Sequence, residues 1–480
     1  MGHCLLASAS TDTPRGISTS RRNLVTTVIP IDTPGLGDRT YLAHDGKVAL
    51  VVDPQRDYDR VLDVAREAGV RITHVFETHI HNDYVTGGLA LAQEVDATYH
   101  VNADDPVDFE RTGVSDGDVL AVGDTMRVRV VHTPGHTHTH LSYALEAEGR
   151  PVAVFTGGSL LFGSTGRPDL LGPDHTDTLV RAQWHSAHRL AEELPEETEV
   201  FPTHGFGSFC SATQSEAVSS TIGQEKTSNP ALTQGEQEYV DALLAGLDEF
   251  PAYYAHMGPA NSAGPSAPDL SAPELADPAE LRRRIDAGEW VVDLRTRSAF
   301  AAGHLTGSLN FGLDGQFITY LGWLIPWDAT VTLLGETPQD VAEAQRDMAR
   351  IGLERPAAMA TGKPEDWAGG DALASYPVAT FEDLAAELRK DPSERPVVLD
   401  VRRGQEFAES HIVDAVNLPI HNVLAHIDDV PRTRLWVHCA GGYRASVVTA
   451  LLQARGHDVV AVDDSFDNAS VAGLPLTSNS

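Results

Sequence analysis

The sequence predicts an α/β protein of three domains, the last two being copies of one unit. Three observations lead there. Short β-branched runs alternate with amphipathic helical stretches up to about residue 258. Two segments rich in Pro, Ala, Gly and Ser then interrupt the pattern. Beyond the first of them, Asp293, Arg295, Phe300, His304 and Asn310 recur at the same offsets as Asp400, Arg402, Phe407, His411 and Asn417. Five identities at one register, in VVDLRTRSAFAAGHLTGSLN and VVLDVRRGQEFAESHIVDAVN, indicate duplication of an α/β unit.

Residues 1–22 read as a disordered extension. They hold no charged region followed by a long apolar one, and Leu6 stands where a myristoylation signal requires Ser or Thr. Over 23–258, LVTTVIPI, VALVVD, ITHVFETH, RVRVVHTPG and PVAVFTGG read as strands. YDRVLDVAREAG and TDTLVRAQWHSAHRLAEEL read as helices, the second with apolar residues at helical spacing and Asp177 near its start. A linker is expected over 259–271, one repeat over 272–356, a second linker over 357–377 and the other repeat over 378–480.

The 480 residues carry 69 acidic against 35 basic side chains, a formal net charge of -34. Such a surface repels nucleic-acid phosphates and anionic lipid, which argues against both as partners. No apolar run reaches the length of a membrane span. The three cysteines, Cys4, Cys210 and Cys439, are too few and scattered for a disulfide framework, so a reducing, cytoplasmic compartment is expected. A homo-oligomer remains open.

THIHNDY places His79, His81 and Asp83 just after an apolar strand. Alternate residues of an extended segment face one way, so both histidines are able to face one metal. HTPGHTHTH adds His132, His136, His138 and His140 after another strand, and FPTHGFGSFC adds His204 after a third. A lone histidine is usually a loop residue with ordinary hydrogen bonds. HxHxD with two further histidines at strand ends, where α/β folds place their sites, is better read as a metal site. His132, His138 and His140 are each expected to be structural or exposed.

These motifs resemble the metallo-β-lactamase fold. THIHNDYVTGG is similar to its THxHxDH signature, HTPGHT to its second histidine motif, FTGGSLLFGSTGRPDL to its aspartate-bearing turn and PTHG to its last histidine motif. The resemblance implies an αββα sandwich over about 23–258, and within the superfamily points to glyoxalase II and the persulfide dioxygenases. It implies a first metal site of His79, His81 and His136, and a second using Asp83, the residue after it, the turn aspartate and His204. Here the residue after Asp83 is Tyr84, and Gly158 stands where the turn aspartate belongs. The second site has lost two ligands, which argues against a binuclear zinc centre. The dioxygenase triad by resemblance, His79, His136 and the missing aspartate, lacks its carboxylate. The three-histidine set suits one divalent metal, zinc or iron, with an open position. A metal-free scaffold is the competing expectation.

LWVHCAGGYRAS follows a strand and precedes a helical run. Cys439 opens a loop of Ala440, Gly441, Gly442 and Tyr443, closed by Arg444. The glycines let backbone amides turn inward, and the helix start adds positive potential, an environment for a nucleophilic thiolate. Cysteine phosphatases wrap phosphate with five residues between Cys and Arg, whereas this loop has four. With Asp400 and Arg402 upstream, it resembles rhodanese sulfurtransferases over about 378–470. The resemblance implies a Cys439 persulfide formed from thiosulfate or a low-molecular-weight thiol persulfide. The preceding repeat carries VTLLGETPQD at this place, without cysteine, and resembles an inactive rhodanese-like domain. Cys210, in GSFCSA, reads as an ordinary buried thiol. The combination points to sulfane-sulfur metabolism, with thioester hydrolysis by a mononuclear zinc as the alternative.

Overall fold

The computed structural model describes residues 26–213, 215 and 217–478. The expected extension over 1–22, with Cys4, lies outside them.

Two six-stranded sheets form the middle of the first domain. One runs in chain order through Thr27–Thr33, Asp38–His44, Val48–Val52, Arg71–Phe76, Thr98–Asn102 and Thr112–Val114. The other is ordered Ser220–Thr221, Glu199–Pro202, Arg150–Gly157, Leu141–Ala147, Met126–His132 and Val119–Val122. Alternation makes them pack. In Met126–His132, Met126, Val128 and Val130 turn inward and join Tyr41, Phe76, Tyr143 and Phe155 in a core between the sheets. Helices cover the outer faces. Asp59–Ala68 buries Val61 and Ala65 beneath the first sheet and stops at Gly69, which takes a left-handed φ of 67°. Pro173–Glu193 buries Leu179, Val180, Ala187 and Leu190 beneath the second. It begins a turn before Asp177, because Pro173 suits a first helical position that needs no amide donor. The four layers are an αββα sandwich.

The two repeats fold alike. Each is a five-stranded, all-parallel sheet. The first is ordered Glu274–Leu275, Ala358–Thr361, Val331–Gly335, Trp290–Asp293, Leu309–Asn310. The second is ordered Val378–Ala379, Val459–Val462, Leu435–His438, Val397–Asp400, Val416–Asn417. The recurring residues are the scaffold. Arg295 pairs with Asp293 at 2.6 Å and donates to Gly303 O, while Asn310 Nδ2 donates to the carbonyls of Asp293 and Arg295. Arg402 pairs with Asp400 at 2.6 Å and donates to Ser410 O, while Asn417 Nδ2 donates to the carbonyls of Asp400 and Arg402.

Two expected boundaries differ from the structure. Ala358–Thr361 is a ladder strand of the middle domain, and the helix Pro364–Ala368 follows it, inside the stretch expected as a linker over 357–377. Four small or weakly apolar residues followed by Gly and Pro carry no periodicity to reveal them. The helix Tyr254–Ala263 runs through residue 258, where the first domain was expected to end. Its Asn261 is buried and donates to the carbonyls of His81 and Tyr84. The domains share an apolar cluster reaching from Tyr84 and Tyr254 through Phe317 and Trp323 to Val437 and Cys439.

Candidate metal centre and sulfur-binding loop

Strand ends bring the predicted histidines together. His79, His81, His136 and His204 are all at most 1% exposed. The His79 ring lies 4.1 Å from that of His81, 4.8 Å from His136 and 5.4 Å from His204, centroid to centroid. His204 is the hub. It belongs to three close-set groups of ligand atoms: with His79 and His81, with His136 and Cys210, and with Asp38 and Asp83. His79, His81 and His136 do not form such a group on their own among the described residues.

Each imidazole is oriented by what its outer nitrogen touches. His136 Nδ1 lies 2.8 Å from Arg167 O, leaving Nε2 buried and unpartnered. His204 Nδ1 donates to Asp38 Oδ1 at 2.9 Å and lies 3.1 Å from Asp83 Oδ2, so its Nε2 turns inward to 3.5 Å from His79 Nε2. His79 Nδ1 meets Thr78 Oγ1 at 2.9 Å, and that hydroxyl donates to Asp53. Asp53 sits at the end of its strand with φ 52°, a backbone few side chains adopt, which turns its carboxylate onto Thr78, Thr203 and His81.

His81 is held differently. Its Nε2 faces Asp53 at 3.2 Å, Glu77 at 3.3 Å and the Tyr84 hydroxyl at 3.0 Å. Tyr84, standing where the resemblance implies a histidine ligand, thus holds His81 Nε2 in place. Burial works against a charged His81, but Asp53 and Glu77 outweigh it and raise its pKa to about 9. His204 follows the same logic: burial lowers it, and Asp83 with Asp38 raise it to about 10. His136, without a carboxylate partner, is pushed down to about 3 by burial and by His204.

Gly158 has a steric reason. A Cβ there would press on His136 Cδ2 and lie 2.6 Å from Cγ and 3.0 Å from Nε2. The His136 ring fills the space a side chain at 158 would need. The Gly158 amide donates to His140 Nε2 at 3.0 Å, and His140 Nδ1 meets Thr133, so His140 is a buried structural histidine. His132 and His138 make surface contacts, with His138 O and His175 respectively.

Do these residues fit a cation? His81 Nδ1, His136 Nε2, Asp83 Oδ1 and Asp38 Oδ2 are all buried without a hydrogen-bond partner. Orphaned acceptors of this kind, next to histidines fixed by their outer nitrogens, are what a metal satisfies. The pocket is a candidate His/Asp metal site. Sequence reading missed Asp38, Asp53 and Glu77, and it took Cys210 for an ordinary thiol. Cys210 is buried, as expected, and lies among His136, His204 and Asp83.

The second site is at the C-terminal end of Leu435–His438. Cys439 is buried, and its Sγ accepts the Gly442 amide at 3.2 Å. Gly442 has φ 90° and opens the helix Tyr443–Ala454. Arg444 forks onto Glu406 at 2.5 and 2.8 Å. The preceding repeat supports this loop. Tyr443 donates to Gly312 O at 2.8 Å, Arg297 bonds Asp463 at 2.8 Å, and Ser446 donates to Asn310 at 2.7 Å. At the matching place in that repeat, the strand Val331–Gly335 runs into a capping box of Thr337 and Asp340.

A cleft of about 520 Å³ joins the domains. Arg167, Phe209 and Ser211 line it from the first, Tyr320 from the middle one, and Glu406 and Arg444 from the last. Among the described residues no helix is long and apolar enough to cross a membrane.

Comparison with known proteins identifies the families of these domains. The Metallo-beta-lactamase superfamily model matches residues 34–204, and the Rhodanese-like domain model matches twice, over 277–367 and 380–471. A hydroxyacylglutathione hydrolase of a Polaromonas species is 31% identical over 160 residues, 33% of this chain and 57% of that protein. The chain thus spans little more than half the length of that relative. The human mitochondrial persulfide dioxygenase ETHE1 is 26% identical over 207 residues, 42% of this chain and 75% of that one. A crystal structure of a metallo-beta-lactamase from Staphylococcus aureus aligns with a TM-score of 0.63 at 27% identity, covering 70% of this chain and 99% of that one. The chain is a metallo-beta-lactamase superfamily domain joined to tandem rhodanese-like domains.

Proposed function

We propose that this protein handles sulfane sulfur, with Cys439 as the carrier and the histidine pocket acting on a low-molecular-weight persulfide. The observation that carries the reading is the cleft, lined both by Arg444 of the cysteine loop and by Phe209 and Ser211, which flank Cys210 of the histidine pocket. The Cys439 thiolate attacks the outer sulfur of thiosulfate or a thiol persulfide. A Cys439–sulfur bond forms, the donor S–S bond breaks, and sulfite or a thiolate leaves. An acceptor thiolate then takes the outer sulfur, and the Cys439 thiolate is the leaving group. The Gly442 amide, already on Sγ, stabilises the anion in both states. Arg444 is fixed by Glu406 and offers its charge to the donor.

His79 and His204, oriented by Thr78 and by Asp38 with Asp83, together with His81, whose Nδ1 has no partner, would hold one divalent metal, iron or zinc. Such a metal supplies an open coordination position and Lewis acidity. The likeness to a persulfide dioxygenase supports oxidation of the persulfide if iron binds. The test is anaerobic loading with iron, then oxygen uptake with glutathione persulfide. Oxygen uptake is expected, and none at any iron loading removes the dioxygenase half. The missing carboxylate at 158 favours a second reading, hydrolysis of a glutathione thioester by zinc, in line with the hydroxyacylglutathione hydrolases. Activity of the zinc-loaded protein on acyl-glutathione, without oxygen uptake in the iron form, selects it.

A further inference from the structure

Position 158 cannot supply an anionic ligand, yet another anionic donor lies at the same histidines. The segment after His204 turns back on itself. Cys210 N donates to Ser208 Oγ at 3.2 Å, and Arg167 N donates to Cys210 O at 2.8 Å. That Arg167 carbonyl in turn holds His136 Nδ1. One short piece of backbone therefore positions both the Cys210 thiol and the His136 ring.

We propose that Cys210, His136 and His204 form a three-ligand metal site in which sulfur replaces the carboxylate that position 158 cannot carry. The three ligand atoms lie within 4.8 Å of one another, and all three residues are at most 0% exposed. Bonds of about 2.0–2.1 Å to nitrogen and about 2.3 Å to sulfur put tetrahedral ligand atoms roughly 3.3–3.6 Å apart. Closing that gap takes side-chain shifts on the order of 1 Å, which leave the outer-nitrogen hydrogen bonds of both histidines in place. His136 Nε2 has no partner, and the Cys210 thiol interacts with the Asp83 carboxylate, the place a metal would take from its proton. His81 offers its unpartnered Nδ1, since its Nε2 is taken by Asp53, Glu77 and Tyr84, and it groups with His79 and His204 rather than with His136 and Cys210. Two nitrogens and a thiolate are a donor set suited to zinc, with the fourth position open. On binding, the Cys210 S–H bond breaks, the sulfur electron pair forms the metal bond, and the proton leaves to solvent.

This inference rests on the metal half of the function proposed above and leaves the Cys439 half independent. The experiment uses the full chain carrying Cys4→Ser and Cys439→Ser, so that Cys210 is its one cysteine, loaded with one equivalent of zinc alone, and reads zinc K-edge EXAFS and zinc affinity. One sulfur at about 2.3 Å with nitrogen at about 2.0–2.1 Å is expected. When Cys210→Ser is added to that protein the sulfur shell vanishes and zinc affinity falls roughly tenfold or more. The spectrum of the protein that keeps Cys210 as its one cysteine decides the matter even if the variant without Cys210 fails to fold. A shell of nitrogen and oxygen only overturns the proposal, leaving metal binding to His79, His81 and His204. Failure to bind zinc overturns the proposal and metal binding together. A sulfur shell that persists without Cys210 overturns it too.

Discussion

Adding one methyl group at position 158 is the sharpest probe of the histidine pocket. Gly158 does not have a positive φ, so Gly158→Ala meets no conformational penalty of its own. The new Cβ, 2.6 Å from His136 Cγ, must displace the ring. That ring is fully buried and tied to Arg167 O at 2.8 Å. Overpacking of this kind costs about 1–3 kcal/mol, and losing the ring's hydrogen bond adds about 1 kcal/mol. Together these amount to about 2–4 kcal/mol, or a fall of roughly 5–15 °C in the melting temperature of a domain this size. Differential scanning calorimetry of the full chain reads it. The cause is isolated by a cycle with His136→Ala, since removing the ring should return most of the cost of Gly158→Ala. Gly158→Asp, which restores the carboxylate of the family turn, should cost at least as much and weaken metal binding rather than strengthen it. Equal cost in both backgrounds, or a Gly158→Ala protein as stable as the parent, would refute the claim that His136 excludes a side chain at 158.

Three further outcomes follow from the cysteine loop. Burial raises the Glu406 carboxyl, but the Arg444 guanidinium outweighs it and holds the pKa down to about 2, so this pair stabilises the fold above the ordinary carboxylate range. That contribution, on the order of 1–2 kcal/mol after solvent screening, is lost as the pH falls from about 4.5 to about 2, so acid unfolding of Glu406→Gln should show a shallower pH dependence there. Tyr443→Phe removes the hydrogen bond to Gly312 O and should cost about 1 kcal/mol, with slower sulfur transfer, read by urea unfolding and a thiosulfate assay. Gly442→Ala places a Cβ against Asp463 at a φ of 90° and should abolish sulfur transfer while the far-ultraviolet circular dichroism stays near that of the parent.

Much of this was legible in the sequence, and what was not has physical causes. HxHxD and HTPGH were readable because strand alternation puts those side chains on one side, and the duplicated Asp–Arg–Phe–His–Asn pattern because each member has a fixed scaffold bond. The loss of the aspartate was visible at Gly158, but its consequence was not, since that depends on the His136 ring 22 residues earlier in the chain. Asp38 reaches His204 from the opposite sheet, and Asp53 holds Thr78 and His81 from the neighbouring strand of their own sheet, through pairings that no local pattern encodes. The one available signal was Asp53 itself, a carboxylate ending the apolar strand VALVV. The burial of Cys210 was readable but its neighbours were not, because its placement comes from a backbone bond between Cys210 O and Arg167 N, 43 residues apart.

The central claim is that Cys439 carries sulfur. Treating the protein with thiosulfate or glutathione persulfide, removing excess donor, and measuring peptide masses tests it most directly. A gain of one sulfur atom on the peptide holding Cys439, lost on adding cyanide, and no sulfur transfer in Cys439→Ser are expected. An unmodified Cys439 peptide, or transfer that survives Cys439→Ser, would contradict it.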